Sequence, residues 1–221
     1  MIRAVILNLD GIVVNTDECH YRAWMQLAHE QGISLQPELY RKLAGRKRMD
    51  SLKVLLGKAE RNYTPTEMWA LGARKNDLFN RLIDDLGPRS IVPGVMETVL
   101  DLRNGGIKVA VASSSENASG ILRHLKLYSC FDAVVDGEQI EKGKPDPEVF
   151  LTVARKLLMP TSDCLVIENT EAGMMAASEA GMQAIQVSGT VEEIAVSQAL
   201  PSFRDLDLPF MLARDKQLLM V

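Results

Sequence analysis

Apolar and polar positions follow two different rhythms along this chain. Ala4-Val5-Ile6-Leu7 is an unbroken apolar run that stops at Asn8-Leu9-Asp10-Gly11. Such a run, closed by turn residues, predicts a strand buried on both faces. From Thr16 to about Ser90 the rhythm changes to a helical one. Tyr21, Trp24, Met25, Leu27 and Ala28 recur at helical spacing behind Asp17, the predicted N-cap. Residues 39–43, 51–56 and 66–86 continue in that style, with no β-branched run between them.

Ile91-Val92-Pro93-Gly94 ends the helical block and starts a helix over 95–103. Strands and helices then alternate. Strands are predicted at 107–112, 131–135, 164–167 and 183–187, and helices at 117–125, 147–158 and 172–180. Alternation of this kind calls for a parallel sheet with helices on both faces. The fold class expected is α/β, a doubly wound, Rossmann-like sheet carrying an inserted helical cap. Residues 1–15 and 92–221 would form the core, and 16–91 the cap, lying over the C-terminal ends of the strands.

Composition narrows the setting. A chain of 221 residues, 47% hydrophobic and 24% charged, can bury a core plus a small accessory domain and is not disordered. A formal charge of −4 gives no general attraction to nucleic acid or an anionic membrane, so neither is an expected partner. Cys19, Cys130 and Cys164 are scattered and lack CxxC spacing, which points to a reducing cytoplasm. No apolar run approaches the roughly 20 residues that span a bilayer. The opening segment is too short for a signal peptide. A monomer is expected.

Polar clusters follow several predicted strands. Ser113-Ser114-Ser115 closes the 107–112 strand, where hydroxyls and backbone N–H groups can hold a phosphate or merely cap a helix. Lys144-Pro145-Asp146-Pro147 puts a lysine before a helix, and Glu168-Asn169 follows the 164–167 strand. Each alone reads as an ordinary loop. Together, in this order, they resemble the motifs of the haloacid dehalogenase-like phosphotransferases over essentially the whole chain. In that family the first motif carries two aspartates two residues apart; one attacks phosphorus and the other handles the proton.

The cap narrows the resemblance. His20-Tyr21-Arg22-Ala23-Trp24, Leu43-Ala44-Gly45, Arg48-Met49-Asp50-Ser51-Leu52, Arg74-Lys75-Asn76-Asp77 and Ser113-Ser114-Ser115-Glu116-Asn117 are similar to stretches of the β-phosphoglucomutase family. That family converts β-glucose 1-phosphate to glucose 6-phosphate through a bisphosphate. The resemblance implies a small phosphorylated sugar as ligand, held by His20, Trp24, Gly45, Arg48, Ser51 and Lys75. Ser113, Ser114, Ser115, Asn117 and Lys144 would bind phosphate. Asn8 would occupy the nucleophile position, Asp10 would be the general acid and base, and Asn8, Asp10, Glu168 and Asn169 would surround Mg²⁺.

Asparagine stands where the family shows aspartate at Asn8, Asn15 and Asn169. A carboxamide is neutral and a poor nucleophile, so phosphoryl transfer is expected to be impaired. Removing a unit charge 4 Å from a cation is worth about 4 kcal/mol at an effective dielectric near 20, so a weakened Mg²⁺ site is expected. The same resemblance leaves two alternatives, a sugar-phosphate phosphatase and a sugar-phosphate-binding protein without turnover. Glu116 is a further departure, placing a carboxylate where a basic residue would hold the distal phosphate. Arg46 and Lys47 would restore the charge if their loop closes over the site.

Overall fold

The computed structural model describes residues 1–187, 206–208 and 212. Five parallel strands form the sheet: β1 (Ala4–Leu7), β2 (Lys108–Ala112), β3 (Ala133–Val135), β4 (Cys164–Glu168) and β5 (Gln183–Gln186), in the order β3-β2-β1-β4-β5. β1 lies at the centre, and all four of its residues are fully buried. Its side chains alternate between faces, as the two-residue period of a strand requires. Val5 and Leu7 join one apolar layer with Val109, Val111, Leu165 and Ile167. Ala4 and Ile6 join the other with Ala110, Ala112 and Val166.

Helices cover both layers. α5 (Val95–Asn104) and α6 (Ala118–His124) pack on the first, while α7 (Glu148–Leu157) and α8 (Glu171–Glu179) pack on the second. The expected α/β doubly wound sheet is therefore present. Between β1 and α5 run four helices: α1 (Asp17–Glu30), α2 (Pro37–Leu43), α3 (Arg48–Leu56) and α4 (Pro65–Ile83). α4 opens on a capping box, in which Thr64 Oγ1 accepts from Glu67 N and the Glu67 carboxylate accepts from Thr64 N. The chain leaves the sheet and returns to it side by side: Asn15 N donates to Ser90 O (2.7 Å) and Val92 N to Val13 O (3.0 Å).

Two local expectations change. Asp17 is the first residue of α1 and not its cap; Thr16 holds the cap position, yet makes no side-chain cap bond. Its hydroxyl is spent on Asp10 instead. α4 stops at Ile83, three residues before the predicted end at Leu86. The parts of the predicted core at 188–205, 209–211 and 213–221 lie outside the described residues.

Candidate functional site

Because β2, β1 and β4 are parallel neighbours, the residues that follow them emerge at one edge of the sheet. A cavity of about 60 Å³ forms between that edge and helices α1–α4. From the sheet side it is lined by Asn8, Asp10, Ser113, Ser114, Ser115 and Asn117. From the helical side come His20, Trp24, Gly45, Arg48, Ser51 and Lys75. Asn15 is exposed and is not part of the lining.

Lys144, Glu168 and Asn169 form the layer beneath the lining. Lys144 is 1% exposed, and its ammonium donates to Asn8 Oδ1 (3.1 Å), Ala112 O (3.2 Å) and Glu168 Oε1 (2.5 Å). Those three bonds use all three ammonium hydrogens. Lys144 thus backs Asn8 and does not face the cavity directly. Glu168 Oε2 accepts from the backbone N–H of Asn169 and Thr170 (2.7 Å each) and from Thr170 Oγ1 (3.0 Å). A Cβ at Gly173 would fall 1.9 Å from Glu168 Oε1, so only glycine leaves room for this carboxylate at the start of α8.

These partners fix the two carboxamides. Asn8 Oδ1 must face Lys144, which can only donate, so Asn8 Nδ2 points to Asn169 Oδ1 (2.9 Å) and Asp10 O (3.2 Å). Asn169 Nδ2 donates to Asp10 O (3.1 Å) and to Asp17 Oδ2 (3.3 Å), both of which can only accept. Amide hydrogens from both side chains therefore converge on the Asp10 carbonyl, an oxygen within the expected Mg²⁺ site. A divalent cation needs oxygen lone pairs aimed at one point. The residues present do not fit one: the donors around Asp10 O are N–H groups, and Glu168 is already saturated.

A second network surrounds the Asp10 carboxylate. Thr16 Oγ1 donates to Asp10 Oδ1 (2.5 Å), and His20 Nε2 stands 3.4 Å from the same oxygen. Lys75 Nζ lies 2.9 Å from His20 Nδ1; while Lys75 is protonated Nδ1 accepts, leaving the ring proton on Nε2 towards Asp10. Burial alone would raise the Asp10 carboxyl. The His20 contact, the Thr16 bond and the Lys144 charge outweigh it and hold the carboxyl below its ordinary range. Burial, followed by the Lys75 charge, lowers His20. Burial also draws Lys75 down to about 7, with the Arg48 charge pushing the same way and Asp10 opposing.

On the helical side, Gly45 adopts φ +76°, and a Cβ there would lie 2.4 Å from Thr170 Oγ1. Only glycine permits this approach of the α2–α3 loop to the start of α8. Ser51 Oγ, on α3, donates across that loop to Leu43 O at the end of α2 (2.8 Å). Arg48 forms an ion pair with Glu116, and Asn117 Nδ2 donates to Asn76 Oδ1 (2.9 Å). Lys47 does not line the cavity; its ammonium donates to Gly137 O (2.9 Å) and Ile140 O (2.8 Å). Arg46 does line it.

Asp17, Tyr40, Asn76 and Thr170 also face the cavity and escaped sequence reasoning. Asp17 carried a signal, an acidic residue seven positions after Asp10, but the helix-cap reading absorbed it. Cys19 and Cys164 are pushed up by burial, to about 11 at Cys164, which argues against a thiolate nucleophile.

Comparison with known proteins adds an independent line. A family model described as haloacid dehalogenase-like hydrolase matches residues 5–187. The chain is 38% identical over 211 residues to the β-phosphoglucomutase of Bacillus subtilis, covering 95% of this chain and 93% of that one. It is 28% identical to a phosphorylated carbohydrates phosphatase of Thermotoga maritima, covering 89% of each. A crystal structure of β-phosphoglucomutase from Clostridium difficile superposes with a TM-score of 0.86 at 30% identity, with both chains covered in full.

Proposed function

The chain belongs to the haloacid dehalogenase-like hydrolase family, and from that premise we propose that it is a β-phosphoglucomutase-type protein with severely reduced phosphoryl transfer. Its ligand is a small phosphorylated sugar, either β-glucose 1-phosphate or glucose 6-phosphate. Residues 16–91 act as the cap and the remainder as the core. Supporting this reading is one cavity lined by strand-end residues on one side and by His20, Trp24, Arg48 and Lys75 on the other. Its volume is far below the roughly 300 Å³ of the smaller ligand pockets, so the ligand reaches it by opening of the cap.

Each group then has a role this geometry allows. Ser113, Ser114 and Ser115 with Asn117 bind phosphate oxygens, and Lys144 supplies positive charge from behind Asn8. Asp10, ionised and hydrogen-bonded by Thr16, exchanges a proton with a sugar hydroxyl. Trp24, His20, Gly45, Ser51, Arg48 and Lys75 surround the sugar. No step is assigned to Asn8, whose carboxamide has no lone pair suited to attack on phosphorus. Mg²⁺, which would neutralise phosphoryl charge in such a site, has no fitting donor set here.

The observation that carries the loss of turnover is the amide pair converging on Asp10 O. It also favours a sugar-phosphate-binding protein over a phosphatase, since hydrolysis through a phosphoenzyme needs the same nucleophile. The test is turnover of β-glucose 1-phosphate with a bisphosphate primer and Mg²⁺, run on the native chain and on Asn8→Asp/Asn169→Asp. Turnover by the native chain at the rate of the double variant would refute the proposal.

A further inference from the structure

Three cations reach the wall of the cavity: Arg46, Arg48 and Lys75. Two of them already have a side-chain partner. Arg48 is ion-paired with Glu116, and Lys75 donates to His20 while burial holds its pKa at about 7. Arg46 differs. Among the described residues it has no ion-pair partner, and its Nε, like that of Arg48, is shut off from solvent without an acceptor. A guanidinium keeps its charge at any accessible pH, and this half-buried one meets no carboxylate. Such a charge beside a cavity calls for an anion inside it.

The loop holds Arg46 in place on both sides. Gly45 is anchored against Thr170, and Lys47 is tied to the Gly137 and Ile140 carbonyls. Lys47 is therefore a strut that carries no charge to the ligand. The Arg48 charge is cancelled by Glu116. What remains on the helical wall is the charge of Arg46.

We propose that Arg46 anchors the phosphoryl group of the sugar phosphate on the helical side of the cavity, while the Arg48–Glu116 pair is left to hydrogen-bond sugar hydroxyls. The inference rests on the sugar-phosphate reading of the site and names the residue that takes the phosphate charge. It shifts the anion grip from the core loop at Glu116 to the cap loop, so the phosphate itself draws the cap closed.

Calorimetric titration of glucose 6-phosphate and of unphosphorylated glucose, with thermal unfolding of each unliganded protein, tests this. Arg46→Ala and Arg46→Gln should weaken glucose 6-phosphate at least tenfold, and Arg46→Lys should fall between them and the native chain. The unliganded midpoint should stay level or rise in the neutral variants, because an unpaired cation has been removed. Glucose 6-phosphate affinities within twofold of native for both neutral variants would overturn the inference alone. A loss of affinity accompanied by a lower unliganded midpoint would also overturn it, marking Arg46 as structural. If the native chain bound no sugar phosphate at all, the reading of the site would fall and this inference with it.

Discussion

Replacing Asn8 and Asn169 together by aspartate turns four hydrogen-bond donors into acceptors. The bonds lost are Asn8 to Asp10 O (3.2 Å) and to Asn169 Oδ1 (2.9 Å), and Asn169 to Asp10 O (3.1 Å) and to Asp17 Oδ2 (3.3 Å). At a net ~0.5–1.5 kcal/mol each, their loss costs about 2–6 kcal/mol before any carboxylate repulsion is counted. For a chain of this size that is a fall in midpoint on the order of 5–20 °C in EDTA. The new carboxylates and the Asp10 carbonyl then make a donor set that a hard cation fits. Mg²⁺ at a hundredfold its dissociation constant returns about 2.7 kcal/mol, or roughly 5–10 °C. The assay is thermal unfolding of both proteins with EDTA and with Mg²⁺. The native midpoint should not respond to Mg²⁺, and the double variant should. An equal Mg²⁺ response in the two proteins would refute the account of the amides, as would a double variant as stable as native in EDTA.

Three further outcomes follow from the geometry. Between pH 7 and about 10 the unfolded chain holds the Lys75 proton and the folded chain does not, so stability should rise with pH across that window. The rise is on the order of 4 kcal/mol at most and should be missing from Lys75→Met, as urea titrations at several pH values will show. Gly45→Ala forces an alanine into the left-handed region at a cost of about 1–2 kcal/mol and pushes against Thr170, so sugar-phosphate affinity should fall with stability; calorimetry beside unfolding checks both. Lys47→Ala removes two charge-assisted bonds between α3's approach loop and the core, and should speed proteolysis of the unliganded protein.

Much of this molecule was legible in its sequence, for identifiable reasons. The apolar run at 4–7 and the strand–helix alternation after residue 95 are local patterns, and the sheet follows from them. The strand-end residues Asn8, Ser113 and Glu168 could be grouped because parallel strands present their ends together. Pairings between distant segments were not legible. Arg48 meets Glu116 across 68 positions, and Lys47 meets carbonyls 90 and 93 positions away. Nor could the sequence tell which way Asn8 points, since that depends on Lys144 approaching from behind. Lys144 itself looked like a cavity residue until its three hydrogens were accounted for. Asp17 was misread because Thr16, one residue earlier, gives its hydroxyl to Asp10 rather than to the helix.

The most direct test of the whole account is a crystal structure of the native chain grown with glucose 6-phosphate in EDTA. The account predicts the sugar phosphate enclosed between the strand ends and α1–α4, touching Ser113 and Trp24, with the Asn8 and Asn169 amides still on the Asp10 carbonyl. A sugar phosphate bound elsewhere on the molecule, or one held only after a divalent cation has displaced those amides, would contradict it.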